Sequence, residues 1–258
     1  MPTADALEQI DRIEGQMSEG TPVVLLDFDG TLAPIVERPE DAELSVETRE
    51  ALERLAQRCR LAIVSGRDLS DLRDKVGLES IAYAGSHGFE IALPGEASGV
   101  VRGEDYLSAL DAVDDELHAR LDSLAGVQIE RKRFGVAVHV RRANREETAS
   151  ARTAVEKLAN AFDGLRIGRG KEVFELQPAV DWDKGRAVGW LLENVYPDDA
   201  RPIYIGDDVT DEDVFEVLGE RGIGILVSET PRETGAGFRL TDPGAVRSFL
   251  EALAENLA

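Results

Sequence analysis

The sequence has one cysteine, Cys59, and three histidines, His87, His118 and His139. A single cysteine excludes a disulfide framework within the chain and any zinc site built on cysteines. The histidines are scattered and form no metal-spaced pair. Positive charge is scarce: 29 Lys and Arg stand against 51 Asp and Glu, for a net charge of −22. Such a surface repels nucleic acid and anionic membranes, so neither is expected as a partner. Aromatic residues make up 5%, which leaves the core to Val, Leu, Ile and Ala. No segment approaches the length that spans a bilayer, and no basic stretch followed by an apolar run opens the chain. The expected location is therefore cytoplasmic. The plain reading of the excess acid is solubility. The sharper expectation is adaptation to high salt, where counter-ions screen the self-repulsion.

What the chain does have is enough length, 258 residues, and enough apolar content, 43%, for one large domain or a core with a smaller insert. Residues 3–17 show helical spacing, and "VVLLDFDGT" at 23–31 reads as a strand buried on both faces. Residues 45–59 read as an amphipathic helix carrying Val46, Leu52 and Leu55, with Ser45 as N-cap. "LAIVSGR" at 61–67 is a second buried strand, 68–76 a helix, and "IAYAGSHGFEIAL" a strand, a turn and a return strand. From about 100 to 177 the texture changes. Helical patterns at 104–124 and 145–162 alternate with strand pairs at 127–133 and 136–142, then 165–168 and 172–177, the last pair flanking Gly168-Arg169-Gly170. After Pro178 the pattern returns: a helix at 184–194, the strand "RPIYIGDD", a helix at 211–219 and the strand "GIGILVS". The expectation is an α/β fold. A doubly wound parallel-sheet core, formed by residues 1–99 and 178–258, carries an inserted αββαββ domain over 100–177.

In open parallel sheets ligands bind beyond the carboxyl ends of the strands. Three apolar strands here end in polar punctuation: "LLDFDGT", "AIVSGR" and "IYIGDDVTDE". If they are neighbours, Asp27, Asp29, Ser65, Asp207, Asp208 and Asp211 share one crevice. That many acids cannot stay ionised together without a hard cation, and oxygen-only ligands favour Mg²⁺ over zinc. A fifth of the chain is acidic, so one Asp-x-Asp triplet carries little information; "DWD" at 181–183 is another. What marks Asp27 and Asp29 is placement, an apolar run before them and Gly-Thr after. Ser65 could also cap the next helix, and Lys184 could be a surface lysine at a helix start, where its charge is unfavourable. Arg67 divides between an ion pair and a site contact, and His87 between an exposed turn and a substrate contact.

"DFDGT", "SGR", "DKG" with Lys184, and "GDDVTDE" resemble, in order, the four motifs of the haloacid dehalogenase superfamily of phosphohydrolases. The insert resembles in position that superfamily's C2 caps. The resemblance implies that Asp27 attacks phosphorus and forms an aspartyl phosphate, while Asp29 protonates the leaving oxygen and later activates water. It implies Mg²⁺ held by Asp27, the Asp29 carbonyl and Asp207, with Asp208 or Asp211 beside it. Ser65 and Lys184 would bind the transferring group.

The insert reverses the chain's charge balance. Residues 130–145 carry Arg131, Lys132, Arg133, Arg141, Arg142 and Arg145 against Glu130 alone. Strand alternation puts Val127, Ile129, Val136, Val138, Val140, Phe174 and Leu176 on one face. The other face would carry Glu130, Lys132, His139, Arg141, Lys171 and Glu175. That face is either solvated and laced with ion pairs or suited to sugar hydroxyls, to which ionised groups bond strongly. "ERKRFGVAVHVR" and "GRGKEVFELQPAVDWDKGRA" are similar to the cap signature of the trehalose-6-phosphate phosphatase family, as are "GSHG" and "GDDVTDED". In that family the groups matching Glu130, Lys132, Arg141, Lys171 and Glu175 hold the disaccharide. The resemblance implies an Mg²⁺-dependent sugar-phosphate phosphatase that acts on a small molecule and can associate with a trehalose-phosphate synthase. Alternatives are a phosphatase for another sugar phosphate, such as a glycosyl phosphoglycerate, a phosphomutase, or a non-catalytic sensor or regulatory subunit. One departure is Ser86 before His87, where the family often has an acid.

Overall fold

The computed structural model describes residues 3–95, 100–170 and 172–257. In chain order the strands are β1 (Ala4–Asp5), β2 (Thr21–Leu26), β3 (Arg60–Val64), β4 (Ala82–Gly85), β5 (Glu90–Ala92), β6 (Val100–Val101), β7 (Gln128–Lys132), β8 (Gly135–His139), β9 (Leu165–Gly170), β10 (Val173–Pro178), β11 (Ala200–Gly206), β12 (Ile223–Val227) and β13 (Phe238–Leu240). The α-helices are α1 (Ile10–Met17), α2 (Val46–Ala56), α3 (Leu69–Val76), α4 (Leu107–Leu121), α5 (Arg145–Ala161), α6 (Lys184–Asn194), α7 (Glu212–Leu218) and α8 (Pro243–Asn256). The chain divides into two compact units, residues 1–100 with 182–258, and residues 101–181.

The first unit is built on a nine-stranded sheet in the order β1-β13-β12-β11-β2-β3-β4-β5-β6. From β1 to β4 the pairings are parallel, and β5 returns antiparallel to β4. Short strands of Val, Leu and Ile alternating with helices give this arrangement because crossover helices cover both faces of a parallel sheet. Val24, Leu26, Ile63, Ile203, Ile205 and Ile225 are buried in one cluster with residues of α1, α2 and α8. Val23, Leu25, Ala62 and Val64 are equally buried on the same strands. The sheet has no solvated face here, which is why these strands read as continuous apolar runs.

Local chemistry sets the element ends. Ser45 Oγ accepts from Thr48 N at 3.1 Å and caps α2. Asp183 accepts from Arg186 N at 2.8 Å, which makes Lys184 the first residue of α6. Two expectations need correction here, and two elements are added. Residues 3–17 are not one helix: Ala4–Asp5 pair with β13, and Asp5 Oδ1 takes Leu7 N at 2.8 Å, turning the chain before α1. Val46 is 67% exposed and belongs to the outer side of α2. β13, between the edge strand β1 and β12, and α8, which packs in the main core, are absent from the sequence reading.

The second unit holds a four-stranded antiparallel sheet, order β7-β8-β10-β9, with α4 and α5 packed on one face. Val136, Val138, Leu176, Leu110, Val113, Leu117 and Leu158 form its core, with Ile129 and Phe174 packed against them. Asn144 caps α5 through Glu146 N and Glu147 N, and Glu147 returns a bond to Asn144 N at 2.9 Å. The β9–β10 turn is not at Gly168–Gly170. β9 runs on to Gly170, which pairs with Val173. β8 stops at His139, and Arg141 lies in the turn that follows.

Candidate active site

β2, β3 and β11 are adjacent, so their carboxyl ends open together. Asp27 follows β2, Ser65 follows β3 and Asp207 follows β11. Asp211 arrives on the 3-10 turn Val209–Asp211 ahead of α7. Asp27, Asp207 and Asp211 each present a carboxylate oxygen, all within 4.8 Å of one another. Gly30 makes this approach possible. Its φ is +79°, and a Cβ there would fall 2.3 Å from the Asp207 carboxylate.

Lys184, 3% exposed, enters the cluster from the start of α6. Its Nζ lies 2.9 Å from Asp211 Oδ1 and 3.1 Å from Asp27 Oδ1. Burial alone would lower the ammonium's pKa; Asp211 and Asp27 outweigh burial and raise it above the ordinary lysine range. The poor match of a lysine to a helix N-terminus is thus offset by two carboxylates. Tyr204, which the sequence reading passed over, donates to Asp211 Oδ1 at 2.6 Å from within β11. Burial, then Asp211, lifts its hydroxyl well above the usual tyrosine range, so it stays a donor. Asp211 Oδ2 accepts from Asp208 N at 2.9 Å. Asp208 is half-buried, and its carboxylate lies outside the convergent group.

Burial lifts the Asp27 carboxyl well above the usual range; Lys184 opposes this, and Asp211, Asp207 and Asp29 add to it. One ammonium does not balance three close carboxylates, and an oxygen-only donor set of this charge suits a hard divalent cation. Thr31 Oγ1, fully buried in the same turn, has no hydrogen-bond partner among the described residues. Buried hydroxyls are normally satisfied, so this turn fits a site completed by a ligand or its hydration. The residues present therefore fit Mg²⁺.

Asp29 is held differently. Arg67 Nε and Nη2 each donate to its carboxylate at 2.7 Å, a bidentate pair. The same guanidinium reaches Asp71 Oδ2 and Pro39 O, both at 2.7 Å, and stacks 5.3 Å over the Phe28 ring. Ser65 is buried, and its Oγ accepts from Arg67 N at 3.2 Å. Asp68, not Ser65, is the N-cap residue of α3. His87 sits in a turn where Ser86 and His87 both have positive φ, 49° and 55°. Two consecutive non-glycine residues in that region are uncommon and signal a constrained turn. Ser86 N donates to Arg67 O and His87 N to Ser65 O, at 2.6 and 2.9 Å. The imidazole lies over Gly66, where a Cβ would come within 2.7 Å of it. The "GSHG" turn is thus wired directly to "SGR".

In the second unit, Glu130 and Glu175 both pair with Ala137 in register, on the face away from the helices. Lys132 Nζ lies 3.3 Å from Glu175, and His139 Nε2 lies 2.7 Å from Glu130. Burial would raise the Glu130 pKa; the His139 hydrogen bond and Lys132 overcome it, and the net shift is downward. The basic stretch folds against acids: Arg131 on Asp111, Arg133 on Glu104, Arg141 on Glu172 at 2.9 Å. Lys171 lies outside the described residues.

The family model for trehalose-phosphatase matches residues 25–244, which contain every site residue described above. The chain belongs to the trehalose-phosphatase family. It is 43% identical, over 98% of its length, to a trehalose-phosphate phosphatase of Mycobacterium tuberculosis, and 41% identical to that of Mycobacterium marinum. It spans 66% of the length of each of these relatives. Among solved structures, the C-terminal domain of Candida albicans trehalose-6-phosphate phosphatase superposes with a TM-score of 0.84 at 25% identity, with 98% of each chain covered. The C-terminal domain of the Candida albicans trehalose synthase regulatory protein shares the fold, with a TM-score of 0.73 at 14% identity over 93% of this chain and 97% of that one.

Proposed function

We propose that the protein is an Mg²⁺-dependent phosphatase that hydrolyses trehalose 6-phosphate to trehalose and phosphate through an aspartyl phosphate on Asp27. The observation that carries this is the convergence of Asp27, Asp207 and Asp211, with Lys184 against Asp27 and Asp211, in a chain of the trehalose-phosphatase family. Asp27, Asp207 and Asp211 would hold the metal, with the Asp29 carbonyl as a further donor. Bound Mg²⁺ supplies charge neutralisation that keeps the Asp27 carboxylate ionised beside an anionic substrate. Asp27 attacks phosphorus as the sugar oxygen leaves, and Asp29 delivers a proton to that oxygen. Asp29 then takes a proton from the water that cleaves the acyl phosphate. Ser65 donates to a phosphoryl oxygen, and Lys184 offsets charge on Asp27 and the transferring group.

Glu130, Lys132, Arg141, Lys171 and Glu175 form the sugar-binding set, a role supported by the placement of Glu130, Lys132 and Glu175 on one sheet face. The Arg67 clamp supports a role for that residue on Asp29 rather than on substrate, and His87 lies against the Ser65–Arg67 turn. The working location is the cytoplasm, and a trehalose-phosphate synthase is the partner whose product this site would consume. Phosphate release from a panel of sugar phosphates, with Mg²⁺ and with EDTA, tests the reading. It predicts metal-dependent release with a clear preference for trehalose 6-phosphate. Equal rates across the panel would remove the substrate assignment, and full activity in EDTA would remove the metal.

A further inference from the structure

The sugar-facing sheet contains a histidine to which neither the motifs nor the proposed set gives a role. Glu130 and Glu175 flank Ala137 across three strands, and the Glu175 carboxylate lies over Gly135, where a Cβ would come within 2.8 Å of it. A glutamate side chain has three rotatable bonds and must be ordered before it can bind a hydroxyl. His139 stands on the same strand and face as Ala137, two residues further on, and is diagonal to Glu130. Its Nε2 lies 2.7 Å from Glu130 Oε2, and the two side chains are 24% and 36% exposed. A hydrogen bond to a charged, partly desolvated acceptor is among the stronger kinds. It uses one of the carboxylate's roughly four acceptor positions and leaves the others for donors.

We propose that His139 is a positioning residue that fixes the Glu130 carboxylate for sugar recognition. It thereby sets KM for the sugar ester without entering the phosphoryl chemistry. This rests on the sugar-binding reading of that face. The competing role is one ion pair among many on a solvated sheet.

The test compares kcat and KM of the full chain for trehalose 6-phosphate and for 4-nitrophenyl phosphate, which carries no sugar. His139→Leu removes the donor. His139→Gln places an amide N–H near the Nε2 position, and His139→Asn keeps polarity but falls short of it. The Leu and Asn variants should raise KM for the sugar ester about two- to tenfold, the expected range for ordering one long side chain, with kcat within about twofold. The Gln variant should recover most of the loss, and the 4-nitrophenyl phosphate constants should stay the same in all three. An unchanged KM in the Asn variant, equal effects of Gln and Asn, or parallel changes with both esters would overturn the inference. Wild-type protein without sugar-phosphate turnover would overturn the underlying reading as well, which separates the two failures.

Discussion

At the scale of single residues, the decisive contrast is between Asp27 and Asp29. They are two positions apart, yet one faces carboxylates and Lys184 while the other is gripped by Arg67. The Arg67 fork sets where the Asp29 carboxylate stands, and Lys cannot reproduce a two-point planar contact. Arg67→Lys should therefore lower turnover of trehalose 6-phosphate by about tenfold or more, within the range that general acid catalysis supplies. 4-Nitrophenyl phosphate, whose leaving group needs little protonation, should lose much less. Equal losses with both substrates would assign Arg67 to folding or phosphate binding instead. The pairing of Asp27 with Asp207 was legible in the sequence, because each follows an uninterrupted apolar run. Which of Asp208 and Asp211 joins that cluster was not, since it depends on the 3-10 turn that carries Asp211 inward and leaves Asp208 half-buried. Tyr204 was hidden for a related reason: in a strand buried on both faces, a tyrosine reads as core, and only its hydroxyl contact reveals another task.

At the scale of elements, turns carry the precision. The Asp27–Thr31 turn depends on Gly30, where two requirements meet: a positive φ and no side chain against Asp207. Gly30→Ala should cost about 1–2 kcal/mol from the left-handed backbone alone, and more from displaced Asp207. Thermal unfolding should show the first loss. A higher Mg²⁺ concentration for half-maximal activity should show the second, and an unchanged Mg²⁺ requirement would contradict the role given to Asp207. Glycine also explains the misplaced β9–β10 turn. Gly168 and Gly170 look like turn residues, but a Cβ on Gly168 would meet the Gln177 amide at 2.7 Å. Gly168 clears space on a sheet face, a demand set by tertiary packing that local spacing does not encode. Helix α2 was legible from its spacing and its cap Ser45, and α5 and α6 from their helical patterns, while their caps Asn144 and Asp183 emerge in the structure. The short β1 was not, since two residues take strand form only by pairing with β13.

At the scale of the whole molecule, composition and fold make separate demands. The parallel sheet and its buried strands account for stability; the net charge of −22 opposes it through self-repulsion. Screening by KCl should raise the unfolding temperature steadily from low salt, and a flat profile would remove the salt-adaptation reading. Within the acidic field, the basic stretch of the second unit is folded onto local carboxylates such as Asp111, Glu104 and Glu175. That arrangement suits a small polyhydroxyl ligand better than a long polyanion. Everything proposed for the molecule rests on Asp27 as the group that takes the phosphoryl group. The most direct measurement is phosphate release from trehalose 6-phosphate by Asp27→Asn alongside wild type, with thermal unfolding of both. The account predicts an Asn variant that folds and has no measurable turnover; turnover retained by a folded Asp27→Asn protein would contradict it.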